Sequence, residues 1–134
     1  MNKTNNNDNN NCPCGSGKTP KNCCLPYIEQ TKNAPTAEAL MRSRYSAFVL
    51  NNEAYLRFSW HIETCPKNIH LHKETKWLGL SIKSTEKGQE KDESGQVEFV
   101  ARYKNNGKAV RLHENSHFIR VEGRWVYLDG ENTD

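Results

Sequence analysis

Two dipeptides, Asn106-Gly107 and Glu122-Gly123, punctuate runs of alternating apolar residues and leave few folds open to this chain. Asn-Gly accepts positive φ at both central positions, so it closes a two-residue hairpin whose twist matches its flanking strands. Before it, Val97, Phe99, Ala101 and Tyr103 recur at every second position and share one strand face. After it, a third strand is predicted from Lys108 to Val121, and Glu122-Gly123 turns the chain into a fourth over Arg124 to Leu128. Upstream, Leu78, Leu80 and Ile82 place a first strand from Lys76 onward, with all three on one face. The polar stretch from Lys83 to Ser94, ending at Gly95, reads as a long hairpin loop. Consecutive strands joined by such short turns pair antiparallel, as a meander.

Before Lys76 the apolar period is helical. Ala37, Leu40, Met41, Tyr45, Phe48 and Val49 line one face of a helix that Thr36 caps and Asn51-Asn52 ends, with Glu38 in its first turn. A second, shorter helix is predicted over Glu53 to Trp60, with Tyr55, Phe58 and Ala54 as its inward candidates. From His61 to Thr75 there is no clean period, and the segment reads as loop with a helical turn. Helices followed by a meander make an α+β fold, with the helices on one face of the sheet. The expected organisation is a disordered tail over residues 1–11, a cysteine module over 12–24, a linker over 25–35, the α+β domain over 36–130 and a tail over 131–134.

The cysteine module reads CPCGSGKTPKNCC, and its GSGKT imitates the end of a phosphate-binding loop. Such a loop needs a glycine where Cys12 stands, a strand before it and a free amide where Pro20 stands, so the imitation fails. Cys12, Cys14, Cys23 and Cys24 instead supply four thiolates, enough for a tetrahedral zinc shell. Pro13 stiffens the first pair, and Gly15 and Gly17 let the backbone turn back toward the second. Disulfides are the competing use. Neighbouring cysteines rarely bridge, a fifth cysteine, Cys65, makes the count odd, and no secretory signal opens the chain. A cytoplasmic location, where thiols stay reduced, is therefore expected. Four thiolates leave no open position for water, so the zinc is read as structural. Binding it would lower the formal net charge of +3 by two, which speaks against nucleic acid as the main partner. No apolar run approaches the ~20 residues of a membrane span.

The segment CPCGSGK followed by CC resembles the SEC-C motif, a short zinc-binding module, and the four cysteines match its ligand positions one for one. PTAEALMRSRYSAFVLNN, SWH, TKWLGL and HFIRVEGRWVYLDG resemble the YchJ-like family of bacterial proteins. That resemblance implies an N-terminal SEC-C module and a cystatin-like, nuclear-transport-factor-2-like roll, in which a curved sheet wraps a long helix around a conical pocket. Relatives of that roll include isomerases and dehydratases as well as proteins that only bind ligands or form homodimers. Many family members carry a second SEC-C motif at the C-terminus, and this sequence ends at YLDGENTD without one. In the bacterial translocase motor a SEC-C tail docks on a protein partner. By that analogy Lys18, Lys21 and Lys32 form a basic rim for an acidic surface.

Within the expected pocket, Arg44 falls on the buried side of its helix and needs a partner, for which Glu114 is the candidate. Tyr45, Trp77, Trp125 and Tyr127 are candidates to line the same mouth, and His61 is the candidate general base. Two readings follow. In one, the knuckle engages a protein and the roll binds a small ligand or forms a homodimer. In the other, the roll is an enzyme using His61, Arg44 and Glu114. A second metal site from His61, Cys65, His70 and His72 matches no ligand spacing, and His113 and His117 read as part of a polar sheet face.

Overall fold

The computed structural model describes residues 10–133; the tail expected over 1–11 lies outside the described residues as far as residue 9. Four strands, β1 (Thr75–Lys87), β2 (Ser94–Asn105), β3 (Lys108–Val121) and β4 (Arg124–Asn132), form one antiparallel sheet in the order β1-β2-β3-β4. Both predicted turns are present, with φ of 54° and 81° at Asn106 and Gly107 and of 53° and 80° at Glu122 and Gly123. The outward face is polar and cross-linked: His113 bonds Glu98 at 2.7 Å, His117 bonds Asp129 at 2.6 Å and Asn115 donates to Gln96 at 2.7 Å.

Three expectations for the sheet need correction. First, β1 does not stop near Ile82 but continues to Lys87, which pairs with Gly95. Its polar residues face solvent and pair across the strands, as Ser84 does with Glu98 at 2.9 Å, so polarity there does not end the strand. Second, Leu78 is not a core residue. A bulge between Trp77 and Gly79 shifts the register and leaves Leu78 54% exposed, while Trp77, Leu80 and Ile82 pack on the core. Third, β4 runs on to Asn132, paired with Glu114, where the sequence suggested a tail.

The helices are α1 (Leu25–Ile28), α2 (Ala37–Val49) and α3 (Glu53–Phe58). Thr36 caps α2 by accepting from the Ala39 amide at 3.1 Å, and Asn52 caps α3 by accepting from Tyr55 at 3.0 Å. α3 ends at Phe58 rather than Trp60, and its inward residues are Tyr55 and Leu56; Ala54 and Phe58 are exposed. The Tyr55 hydroxyl bonds Ser43 of α2 at 2.7 Å and so sets the rotation of α3, while the Phe58 ring lies under the Arg124 guanidinium at 3.9 Å.

Residues 59–61 then lie along β4. Tyr127 donates its amide to Ser59 O and accepts one from His61, each at 2.8 Å, and Trp60 forms a parallel bridge with Tyr127. This covers part of the outer edge of β4, where free backbone groups would otherwise be exposed. The segment read as a linker is also held in place: Ile28 is buried, and Trp125 Nε1 donates to Pro35 O at 3.2 Å. One core contains Cys12, Cys14 and Cys24 together with Leu40, Tyr45, Val97, Phe99 and Phe118. No helix of the described residues is long and apolar enough to cross a membrane.

Candidate functional site: a cysteine cluster and an aromatic cavity

The Sγ atoms of Cys12, Cys14, Cys23 and Cys24 all lie within 4.8 Å of one another. Cys14 and Cys23 are 3.5 Å apart and Cys23 and Cys24 are 3.8 Å apart, close to the edge of about 3.8 Å that a tetrahedral shell with 2.3 Å zinc–sulfur bonds requires. All five cysteines are free thiols. Backbone bonds from Cys12 to Lys18 O (2.8 Å) and from Cys23 to Pro20 O (3.1 Å) shape the loop, with Gly15 and Gly17 at φ of 82° and 87°. This donor set can hold a metal ion, and thiolates suit zinc or iron.

The cluster is fixed to the rest of the fold. Arg42 of α2 donates to Cys14 O at 2.8 Å and to Glu38 at 3.0 Å, and Cys12 Sγ lies 3.5 Å from Ser46 Oγ. Cys12, Cys14 and Cys24 are buried; Cys23 is more open and contacts Ser16 Oγ at 3.1 Å. Hydrogen bonds from Cys14 and Cys24 push Cys12 far below the usual thiol range. Cys24 moves upward, chiefly through its hydrogen bond to Cys12, and burial raises Cys23. Beside the cluster is an open groove of about 470 Å³ whose wall includes Ser16, Lys18, Tyr27, Glu38 and Arg42. Of the basic rim expected from the sequence, Lys18 lines this groove and Lys21 and Lys32 do not.

A second, smaller cavity of about 140 Å³ lies between α2 and the sheet. Helix α2 contributes Met41, Arg44, Tyr45 and Phe48, and the inward positions of β1 to β4 contribute Trp77, Phe99, Glu114 and Tyr127 among others. Five of the seven ligand-binding candidates therefore converge here: Arg44, Tyr45, Trp77, Glu114 and Tyr127. Tyr45 and Phe48 stack on Trp77 with centroids 5.5 Å and 5.7 Å away.

The other two candidates lie elsewhere. Trp125, 1% exposed, holds the connector through Pro35 and carries the Arg120 guanidinium 4.5 Å from its ring. His61 does not line the cavity; its Nδ1 accepts from the Glu63 amide at 3.1 Å. Consecutive residues of an extended segment point to opposite sides, so the bonding of 59–61 along β4 brings Trp60 into the wall and turns His61 away. Trp60 and Ser116 are the wall residues that site reasoning from the sequence passed over. For Trp60 the only signal was its place beside His61.

Arg44 is 4% exposed, and the expected ion pair with Glu114 does not form. Its Nη1 donates to Leu56 O at 2.9 Å and to Ser59 Oγ at 2.8 Å. Its Cζ sits 4.7 Å from the Trp60 ring centroid and 4.6 Å from that of Tyr127, two rings that meet at 79°. Neutral acceptors and aromatic faces thus replace a carboxylate around this cation. Burial lowers its pKa to about 10, so the guanidinium stays charged at neutral pH.

The Glu114 carboxylate is held instead by Ser116 at 2.8 Å and by the Tyr127 hydroxyl at 3.2 Å, both on Oε2. Burial, with Glu114 adding to it, pushes the Tyr127 phenol well above its usual range. The carboxyl lies flat over Gly130, where a Cβ would meet Glu114 Oε2 and Cδ well inside contact distance. Trp60 Nε1 is a buried donor without a hydrogen-bond partner.

A loop of four cysteines docked on an α+β roll places this molecule among the SEC-C motif proteins. It is similar to the solution structure of a SEC-C motif containing protein from Rhodopseudomonas palustris (TM-score 0.82, 36% identity), covering 92% of this chain and 99% of that one. A crystal structure of a SEC-C motif containing protein from Psychrobacter arcticus is similar at a TM-score of 0.73 and 28% identity, over 92% and 82% of the two chains. Residues 36–130 match the model of the YchJ middle NTF2-like domain, and the chain belongs to the YchJ family. Relatives include a UPF0225 protein of Chromobacterium violaceum, 50% identical over 89% of this chain and 90% of its own length. Another, from Ralstonia nicotianae, is 46% identical over 91% of both.

Proposed function

We propose that this protein is a zinc-stabilised binding module. Cys12, Cys14, Cys23 and Cys24 hold one structural Zn²⁺, the adjoining groove engages a protein partner, and the cavity of the roll takes a small ligand. The observation that carries the metal reading is the mutual approach of four Sγ atoms within 4.8 Å, three of them buried. An enzyme built on His61, Arg44 and Glu114 is the weaker reading, because His61 lies outside the cavity that holds the other two.

Elemental analysis of purified protein tests the first part: one zinc per chain, lost in Cys14→Ser, is the expected result. Absence of metal, or iron in place of zinc, overturns it. The cavity is tested separately by titrating an apolar probe such as toluene while following tryptophan fluorescence and thermal stability. Saturable stabilisation is expected, and a cavity that takes up no small molecule of any kind overturns the ligand role.

A further inference from the structure

The wall of the roll cavity narrows the chemistry of its occupant. Arg44 and Glu114 are its only charged side chains among the described residues, and their charges cancel. An anion would meet Glu114 and a cation would meet Arg44 within the same small volume, with little water to screen the repulsion. A neutral occupant avoids both.

Size and shape restrict it further. A cavity of about 140 Å³ is close to the ~150 Å³ engineered cavity that accepts benzene. Tyr45, Phe48, Trp60, Trp77 and Tyr127 present aromatic surface, which favours a flat ring.

The polar atoms of the wall supply direction. Trp60 Nε1–H is buried and unpartnered, a rare condition for a donor in a native interior. Both hydrogen bonds received by Glu114 fall on Oε2, so Oε1 remains an acceptor among the described residues. One unpaired donor and one open acceptor face a space the size of a single ring.

We propose that the cavity binds a neutral single-ring heterocycle of the lactam type, whose carbonyl accepts from Trp60 Nε1–H and whose ring N–H donates to Glu114 Oε1. The inference rests on the ligand-binding reading of the cavity and adds the class of ligand.

Four probes of similar size test it: 2-pyridone, toluene, benzoate and benzylammonium. Each is titrated into the full-length protein with the Trp60 indole N–H resonance as the readout. The expected result is saturable binding of 2-pyridone with a downfield shift of that resonance, tighter than either charged probe by at least tenfold. Trp60→Phe keeps a ring and removes the donor. It should weaken 2-pyridone tenfold or more and change toluene binding by less than twofold, so that toluene reports an intact cavity. Preference for benzoate or benzylammonium overturns the proposal, as does equal binding of 2-pyridone by Trp60→Phe. Toluene binding without 2-pyridone binding overturns the ligand class and leaves the cavity reading standing, whereas no binding by any probe removes both.

Discussion

The Arg44 guanidinium lies 4.6 Å from the centre of the Tyr127 ring, and the hydroxyl of that ring reaches Glu114 at 3.2 Å. A cation and an anion that a salt bridge would have joined are thus linked through one tyrosine, the cation on its face and the anion at its hydroxyl.

Replacing the cation separates its packing from its charge. Arg44→Ala leaves a void and strips Leu56 O and Ser59 Oγ of their buried donor. It should cost about 3–5 kcal/mol in urea denaturation. Arg44→Met keeps most of the volume and removes the need to bury a charge, so it should cost less than half as much. Equal losses for the two would show that the cation itself is what stabilises the roll.

Removing the metal should weaken the whole fold, not only the loop. Cys12, Cys14 and Cys24 belong to the main core, and Arg42 ties Cys14 O to α2. At a free zinc level a thousandfold above its dissociation constant, chelation should remove about 4 kcal/mol. Thermal unfolding followed on the sheet signal should move down in one transition. A melt unchanged by chelation would mean that the roll folds without its cysteine loop.

Gly130→Ala puts a methyl group where the Glu114 carboxyl lies. The carboxylate must then leave Ser116 and Tyr127, with an expected loss of about 1–2 kcal/mol. Unfolding curves measure the cost, and a shift of the Tyr127 ring resonances reports the displacement.

The bulge at Leu78 makes a paired prediction. Leu78→Lys should change stability by less than about 0.5 kcal/mol because this side chain is 54% exposed. Leu80→Lys, which directs a charge at the core, should cost several times more. Chemical denaturation of the two variants checks the register directly.

Alkaline pH should unfold the protein through its tyrosines. Burial raises the phenols of Tyr27, Tyr45, Tyr55 and Tyr127 above their ordinary value of 10. A group raised in the folded state contributes stability that is complete below its unfolded pKa and is lost as pH climbs through its folded one. Stability should therefore fall from about pH 10 upward. Arg44 opposes this, since its value is lowered to about 10, but it is one group against four. Absorbance at about 295 nm should show most tyrosines ionising together with loss of the sheet signal rather than before it.

How far the sequence reached depended on the range of each signal. The caps at Thr36 and Asn52 and the turns at Asn106-Gly107 and Glu122-Gly123 are local chemistry, fixed by a few bonds between near neighbours. The alternation from Val97 to Tyr103 fixed the face of β2, because the residues between keep strict period two. At Leu78 a bulge broke that period, and no local signal marked it.

The sequence by itself determined an α+β chain, a meander of four strands, the helix that lies on it and a cluster of four thiols. Only the tertiary structure decided that Trp60 rather than His61 enters the cavity, that Trp125 holds the connector, and that Arg44 rests on rings rather than on Glu114. Periodicity and turn chemistry are set by residues within a turn or two of one another. Which side chain meets which across a cavity depends on register, bulges and the docking of segments far apart in sequence, and these exist only once the chain has closed on itself.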